Sequence, residues 1–320
     1  PPPPPQQQSA RVTIAEAARL YATADGAVIP WTPITDQQIS STSAIRLHSI
    51  LRAVTGNLDN VGGETLSGFS PAYIPESELG LHDQLSPEQK AKQIGYDEHP
   101  AFTYRVAEML REPTQKIWGY PYADIVMGCQ MANPSDLFRT MISGDPYPIK
   151  AFFTLGNNTL LSYPNQHQIH KALLNQDLIV SHEIFMTPTA LLADYVLPGD
   201  VFSERNHVAD SWSWGSRLTL SQKVAEKPEQ ASSTFQFWTD LAHRMGLGEH
   251  FPWKTLDDML DHRLSRSGRT FAEFEAETVM ESPPPEYKKY ETRGFATPSG
   301  KDELYSSILE ELGFDPRSHS

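Results

Sequence analysis

The feature that most constrains the fold of this chain is a regular alternation of strand and helix patterns between residues 148 and 197. Short apolar runs typical of buried strands alternate with segments of helical spacing, and this order predicts right-handed βαβ units. We therefore expect an α/β fold, with a parallel sheet that has helices on both faces. The predicted strands are 149–155, 177–180 and 195–197, and the predicted helices are 164–175 and 187–193.

The segments on either side of this alternation carry simpler patterns. Residues 27–31 form a short apolar run that predicts a buried strand, and residues 41–56 have the spacing of an amphipathic helix that ends at a glycine. Two more helices are predicted, one over 233–246 that begins at a serine cap and one over 301–312. Residues 64–117 are rich in Ser, Pro, Glu and Gly, which indicates an insertion.

The charge balance and the cysteine count exclude several functional classes. The chain has 40 Asp and Glu against 26 Lys and Arg, and its formal net charge of −14 would repel a phosphate backbone, so no nucleic acid is expected as a partner. The single cysteine, Cys129, excludes an internal disulfide and a four-thiolate cluster. No apolar run approaches the roughly 18 residues that span a bilayer, so no direct membrane span is expected, and the compartment stays open.

Polar residues follow two of the predicted strands, at the edge where ligands bind in open parallel sheets. The run from Gly156 to Thr159 follows the first strand, and the run from Ser181 to Glu183 follows the second. A carboxylate there accepts the adjacent ring and exocyclic N–H donors of guanine, which suit it better than the edge of adenine does. A guanine-nucleotide site is one hypothesis, and the alternative is that these polar residues simply end the strands.

Motifs of several other enzyme classes are absent from the sequence. The chain contains no GxGxxG, GxxxxGK[ST], HExxH or GxSxG, so the sequence does not support a dinucleotide dehydrogenase, a P-loop enzyme, a zincin or a serine hydrolase. His167 and His170 lie close together on a predicted helix, but no third ligand has suitable spacing, and we expect exposed histidines rather than a metal site. Cys129 follows apolar residues and is interpreted as packed rather than reactive.

The run over residues 177–206, DLIVSHEIFMTPTALLADYVLPGDVFSERN, closely resembles a signature of the dimethyl sulfoxide reductase superfamily of molybdopterin oxidoreductases. The resemblance covers nearly all of residues 11–316 and is weakest over 67–117. It is specific because separate blocks occur in the family's order. The other blocks are AARLYATADGAVIPWTPITDQQ, LRAVTGNLDNVGGE and IKAFFTLGNNTLLSYPN upstream, and FQFWTDLAHRMGL and FATPSGKDELYSSILEELGFDP downstream.

This resemblance implies a four-domain enzyme of three-layer α/β type, in which two pterin cofactors bind one molybdenum or tungsten. The chain would be an internal portion of it, without the N-terminal part that carries the metal ligand and any iron–sulfur cluster, and without the C-terminal domain that closes over the pterins. No residue here is expected to ligate the metal. The implied parts are a low-complexity tail over 1–12, the end of the third family domain over 13–66, an insertion or connection over 67–147, and the nucleotide-binding half of the second family domain over 148–320.

The resemblance also transfers cofactor contacts to individual positions. Glu183 stands where the family has an aspartate, which coincides with the carboxylate considered above for guanine. Thr159 replaces the usual proline, and Thr234 replaces an aspartate that some members have. No catalytic residue is assigned, and the expected cofactor-binding residues are Pro33, Gln37, Gly156, Asn158, His182, Glu183, Arg205 and Thr234.

The leading hypothesis is the middle portion of a molybdenum or tungsten bis(molybdopterin guanine dinucleotide) oxidoreductase, which holds one guanosine and shapes the substrate funnel. The chain alone is expected to be inactive. Its expected partners are the remainder of the same polypeptide or catalytic complex and an iron–sulfur electron-transfer subunit. Two alternatives stay open: a tungsten-dependent hydratase of the same family, and a non-catalytic subunit that binds a guanine nucleotide or a partner chain.

Overall fold

The computed structural model describes residues 5–30, 32–36, 38, 40–66, 73–74, 76–100, 103–118, 131–209, 217–281, 284 and 286–317. Its helices there are α1 (Pro5–Thr23), α2 (Pro33–Asp36), α3 (Ser41–Thr55), α4 (Pro87–Lys90), α5 (Tyr104–Trp118), α6 (Pro134–Ser143), α7 (Thr159–Ser162), α8 (Gln166–Leu174), α9 (Thr234–Arg244), α10 (Leu256–Leu264), α11 (Phe271–Glu277), α12 (Tyr290–Arg293) and α13 (Ser307–Glu311). Its strands are β1 (Ala151–Leu155), β2 (Leu178–Glu183), β3 (Tyr195–Pro198), β4 (His207–Ala209), β5 (Arg217–Ser221) and β6 (Val279–Glu281). Among the helices of these residues, none has the length and apolar character needed to cross a membrane.

The chain divides into two compact units, and both sheets belong to the second. The first unit comprises Pro1–Gly68, Glu108–Tyr122 and Pro283–Ser320, and the second comprises Phe69–Ala107 and Ala123–Ser282. The first unit is therefore built from three stretches of sequence that lie far apart along the chain.

The first sheet has the predicted parallel arrangement. Strands β1, β2 and β3 are adjacent in that order and all parallel, with Leu155 opposite His182 and Glu183 opposite Pro198. Strand β2 continues past the predicted end at Val180, because the residues up to Glu183 still have partners on a neighbouring strand. The carboxyl ends of the three strands therefore meet at one edge of the sheet.

Helices cover both faces of this parallel sheet, as expected from the sequence. On one face, α6 and α8 pack on Ile179, and Leu173 of α8 is fully buried at 0% exposure. On the other face, the ring of Phe237 in α9 lies 6.1 Å from that of Phe153 and 5.8 Å from that of His182, centroid to centroid. Because alternate residues of a strand point to opposite faces, the consecutive apolar residues of β1 and β2 make both faces of the sheet apolar.

The second sheet is antiparallel and was not predicted. Strands β4, β5 and β6 pair in that order, with Val208 opposite Leu220 and Leu218 opposite Met280. One face packs on α10 and α11 and forms a separate core. Its fully or nearly buried side chains are Tyr73, Val208, Leu218, Leu260, Leu264, Phe271 and Phe274.

The strand predicted over 27–31 is wrong for residues 27–30, and residue 31 lies outside the described residues. Ala27 donates its backbone N–H to Asn57 Oδ1 at 2.9 Å, and Ile29 donates its own to Glu64 Oε1 at 3.1 Å. Two side chains therefore accept from backbone donors that a neighbouring strand would otherwise engage, and residues 27–30 join no sheet.

Two predicted helices are shorter than expected. Residues 187–193 contain only a 3₁₀ turn, Ala190–Leu192, because Thr187 Oγ1 accepts the N–H of Ala190. The C-terminal helix is only α13, because Glu303 accepts hydrogen bonds from the backbone of Ser299 and Ser307 and holds the preceding residues in a turn. In both cases a side chain competes with the helical hydrogen-bond pattern.

A buried carboxylate joins distant parts of the first unit. Asp59 is 0% exposed, and its Oδ1 accepts from the backbone N–H of Leu66 at 3.0 Å and from Lys289 Nζ at 2.7 Å. Its Oδ2 accepts from the backbone N–H of Lys289 at 2.8 Å, and its carbonyl oxygen accepts from that of Lys288 at 2.8 Å. This one residue therefore binds the loop after α3 to the segment that leads into α12.

Two neighbouring acids of the first unit are expected to affect stability in opposite directions as pH changes. Burial raises the pKa of Asp302, against the opposing effect of Arg46 and Arg52. Burial also acts to raise the pKa of Glu303, but hydrogen bonds from Ser299 and Ser307 outweigh it and hold that pKa below its usual value. Ionisation therefore costs stability at Asp302 and adds stability at Glu303.

We expect Asp302→Asn to raise the melting temperature at pH 7, because the substitution removes a carboxylate whose ionised form the fold disfavours. Glu303→Gln should lower it, since the folded state then loses an acceptor that it favours in the ionised form. The Asp302 difference should vanish as the pH falls below the ordinary aspartate pKa of about 4, because the group is then protonated in folded and unfolded chains alike. The Glu303 difference should persist further and disappear only as the pH falls through the lowered pKa of the folded chain. Thermal melts from pH 3 to 8 test this, and differences independent of pH would contradict it.

Candidate nucleotide-binding site

The turn after β1 begins with a glycine that the backbone requires. Gly156 has a φ of +59°, and its N–H donates to the carbonyl of His182 at 2.9 Å, so the turn stays joined to the end of β2. A Cβ atom built on Gly156 would meet nothing within 4 Å. The glycine is therefore needed for its left-handed conformation, and the space beside it is open.

Asn158 lies two positions beyond Gly156 and is held from the next loop of the sheet. Its Oδ1 accepts hydrogen bonds from Thr189 Oγ1 at 2.8 Å and from the backbone N–H of Thr189 at 3.4 Å. Thr189 Oγ1 in turn accepts from the N–H of Leu160 at 2.9 Å. Asn158 Nδ2 makes no hydrogen bond with any residue that the structure describes, so the fixed amide presents a donor at this edge.

Glu183 places a half-buried carboxylate at the end of β2. Its Oε1 accepts from the backbone N–H of Ile184 at 2.9 Å, and its carbonyl accepts from the N–H of Gly199 at 3.1 Å. Oε2 has no hydrogen-bond partner within the described ranges of the chain. One carboxylate oxygen is thus anchored by the backbone while the other stays available to a donor.

His182 is 5% exposed, and its ring is occupied by contacts within the chain. Nε2 lies 2.9 Å from the carbonyl oxygen of Ser232 and 3.2 Å from Ser232 Oγ, so it carries the hydrogen and donates to that carbonyl. A Cβ atom on Gly199 would lie 3.1 Å from the ring, which explains the glycine there. His182 therefore holds the segment before α9 against the strand ends.

The surroundings of Arg205 and of Thr234 differ from each other, since one forms an ion pair and the other begins a helix. The Arg205 guanidinium forms an ion pair with Asp200 Oδ1, and the Asp200 side chain is 2% exposed. Thr234 is exposed in the first turn of α9, directly after the cap residue Ser233, whose side chain accepts from the N–H of Gln236 at 3.1 Å. Thr234 thus lies at a helix N-terminus, where unpaired backbone N–H groups favour anions.

The remaining two predicted contacts are Pro33, in the first unit, and Gln37. Pro33 is exposed and begins α2. Gln37 lies outside the described residues.

Four of the predicted residues, Gly156, Asn158, His182 and Glu183, lie at one edge of the parallel sheet, whereas Arg205 pairs with Asp200 beyond β3 and Thr234 follows Ser232 by two positions. Gly156 contacts His182, Glu183 contacts Gly199, and His182 contacts Ser232 near the start of α9. The sequence reasoning missed Asp200 and Ser232, although Asp200 follows the third predicted strand as closely as the other polar residues follow theirs. In the described residues no group of three or more His, Cys, Asp and Glu could hold a metal ion.

Comparisons with known proteins agree on the family. Residues 110–244 match the family model described as molybdopterin oxidoreductase. The chain is 44% identical to acetylene hydratase of Syntrophotalea acetylenica over 95% of its own length and 41% of that protein. It is 29% identical to the thiosulfate reductase molybdopterin-containing subunit PhsA of Salmonella typhimurium over 55% of this chain and 26% of that subunit.

A solved structure matches both units. The acetylene hydratase from Pelobacter acetylenicus superposes with a TM-score of 0.89 and 43% sequence identity, over 96% of this chain and 42% of that one. The chain thus spans about two fifths of the length of the acetylene hydratases and about a quarter of the thiosulfate reductase subunit. The sequence match, the shared fold and the order of the sequence blocks together show that this chain belongs to the dimethyl sulfoxide reductase family of molybdopterin oxidoreductases.

Proposed function

We propose that this chain holds one guanosine of a molybdopterin guanine dinucleotide cofactor in a molybdenum or tungsten enzyme, and that it forms part of the substrate funnel. The observation that carries the proposal is the Glu183 carboxylate, half-buried at the carboxyl edge of a parallel sheet with Oε2 without a hydrogen-bond partner among the described residues. When bound, the metal and its pterins supply the reaction chemistry. The chain supplies binding and orientation.

The chemistry of the edge fits a guanine base. Guanine presents a ring N–H beside an exocyclic amine, and a carboxylate accepts from both at once, whereas adenine presents a ring acceptor there. The anchored Oε1 of Glu183 retains a second lone pair, so both oxygens can take part. Asn158 Nδ2 provides a donor that suits a guanine or phosphate oxygen, and the open space beside Gly156 leaves room for the ligand.

A second candidate for the complete enzyme is hydration rather than net oxidation or reduction. Identity to acetylene hydratase is 44% over 95% of this chain, whereas thiosulfate reductase and formate dehydrogenase H reach 29% and 26% over smaller parts of it. This difference favours a hydratase over a redox enzyme. An assay of the complete enzyme with acetylene, run with and without an electron acceptor, separates the two, because water addition needs no acceptor.

The apolar segment after β2 supports the proposal that further protein covers this edge. Ile184, Phe185 and Met186 are 48%, 74% and 60% exposed. Three consecutive exposed apolar residues beside a binding edge indicate a surface that is buried in the assembled enzyme. We assign that cover to the remainder of the same polypeptide or catalytic complex, since the chain spans 42% of the solved hydratase; an iron–sulfur electron-transfer subunit is a partner only if the enzyme is redox-active.

Calorimetric titration of guanosine monophosphate into the full 320-residue chain tests the nucleotide site. We expect binding that is selective over adenosine monophosphate, and we expect Glu183→Ala to weaken it by about tenfold or more, since a hydrogen bond to a charged acceptor is lost. The matched control is Asp177→Ala, because Asp177 lies at the opposite end of the same strand and pairs with Lys150 at the surface.

Each result has one meaning. Guanine-selective binding that survives Asp177→Ala but not Glu183→Ala supports the site. Equal heats for the two nucleotides, or equal losses in the two variants, would refute the assignment of Glu183, provided that circular dichroism shows each chain to be folded.

A further inference from the structure

Asp200 is a buried carboxylate in which only one of the two oxygens has a partner among the described residues. The residue is 9% exposed, and Oδ1 forms an ion pair with Arg205. Oδ2 is shielded from solvent and has no hydrogen-bond partner in the part of the chain that the structure describes. The residue lies just beyond β3, at the same edge of the sheet as Glu183.

A carboxylate oxygen in this state is unusual. Buried polar atoms in native proteins nearly always have a partner, and removing a charged oxygen from water without one destabilises the fold. The backbone of Asp200 is well fixed, because its N–H donates to the carbonyl of Ser232 at 3.2 Å and the preceding Gly199 donates to Glu183. The backbone of Asp200 is therefore fixed at this edge of the sheet, and Oδ2 has no donor among the residues that the structure describes.

We propose that Asp200 is a second base-recognition residue of the guanosine site, and that Oδ2 accepts one hydrogen of the exocyclic amine of guanine. This inference rests on the proposed function. Glu183 would accept the ring N–H and the other amine hydrogen, so the two carboxylates together would use all three donors of that edge. Contact requires the Arg205 side chain, which is 32% exposed, to shift so that the base reaches Oδ2.

The proposal predicts discrimination against hypoxanthine, which has the ring N–H of guanine but lacks the exocyclic amine. Inosine monophosphate therefore retains the contact of its ring N–H with Glu183 and loses any contact with Asp200. Asparagine at position 200 keeps the shape of the side chain, but its amide nitrogen would face the guanine amine once its oxygen accepts from Arg205. Two donors would then oppose each other, and only guanine should be affected.

Calorimetric titration of guanosine and inosine monophosphate into the full chain and its Asp200→Asn variant tests this. We expect the ratio of the affinities for guanosine and inosine monophosphate to fall about tenfold in Asp200→Asn. The affinity for inosine monophosphate itself should stay unchanged. Should Asp200→Asn not fold by circular dichroism, the Asp200→Ala/Arg205→Ala double variant removes both charges and leaves neither unpaired, and the same loss of preference is expected there.

The outcomes separate this inference from the proposed function. A wild-type chain that does not prefer guanosine over adenosine monophosphate refutes the guanosine site, and the role of Asp200 with it. Guanine selectivity with an unchanged guanosine-to-inosine preference in the folded variant refutes only the role of Asp200. Equal weakening of both nucleotides also refutes the contact, because it means that Asp200 acts through the shape of the site.

Discussion

Asp59→Ala is expected to destabilise the first unit by about 3–5 kcal/mol, the usual cost of breaking a buried ion pair from one side. The substitution leaves Lys289 Nζ, whose side chain is 18% exposed, without the carboxylate that it contacts at 2.7 Å. It also removes the acceptor of two backbone N–H groups, those of Leu66 and Lys289. Each of these donors then loses its acceptor at a place where little water can replace it.

Amide hydrogen exchange followed by mass spectrometry tests the prediction and locates the effect. Faster exchange should be confined to peptides of the first unit, and above all to residues 57–66 and 286–293. Glu291→Ala is the control, because its side chain is 59% exposed and makes only a surface pair with Lys288 at 3.7 Å, which is expected to contribute within about 0.5 kcal/mol. Similar exchange in the two variants would mean that the buried pair contributes no more than a surface pair.

The second large effect is expected in the core beneath the parallel sheet. Leu173→Ala should destabilise the second unit by about 2–5 kcal/mol, because Leu173 is 0% exposed and its truncation leaves a cavity among side chains of α6 and α8. The next residue is a matched control. Leu174 has the same side chain on the same helix but is 61% exposed, so Leu174→Ala should change stability within about 0.5 kcal/mol.

Urea unfolding of the two leucine variants, followed by hydrogen exchange of β2 peptides, measures this difference. Helix α8 precedes β2, which carries Glu183, so loosening of the core is also expected to weaken guanosine monophosphate binding in Leu173→Ala and not in Leu174→Ala. Equal urea midpoints would contradict the assignment of Leu173 to the core.

The parallel sheet could be predicted because its signals are local. Apolar pairs such as Phe152 with Phe153 and Ile179 with Val180 reveal strands buried on both faces, and the intervening helical spacing requires parallel pairing. The segment 27–31 carries the same kind of apolar run and was misread. The structure of residues 27–30 depends on two side chains, Asn57 and Glu64, that lie 30 and 35 residues beyond the groups they bind.

The residues of the candidate site also differ in whether local sequence signals could predict them. Gly156 directly follows one predicted strand and Glu183 lies three residues beyond another, so the sequence could place both at strand ends, and the structure joins those ends. Asp200 was not identified, because an acid after Pro-Gly has the composition of a surface turn. Its burial depends on the Arg205 ion pair and on the approach of Ser232, and neither contact leaves a pattern in the sequence.

The bond between Asp59 and Lys289 also bears on the order in which the protein forms during synthesis. The two residues are separated by 230 positions, so the loop after α3 leaves the ribosome long before its partner exists. At roughly 5–20 residues per second, the unpaired aspartate would wait on the order of 10–50 s. Throughout that interval the second unit, whose chain lies wholly between them, can fold first, and closure of the first unit becomes a late step of biogenesis.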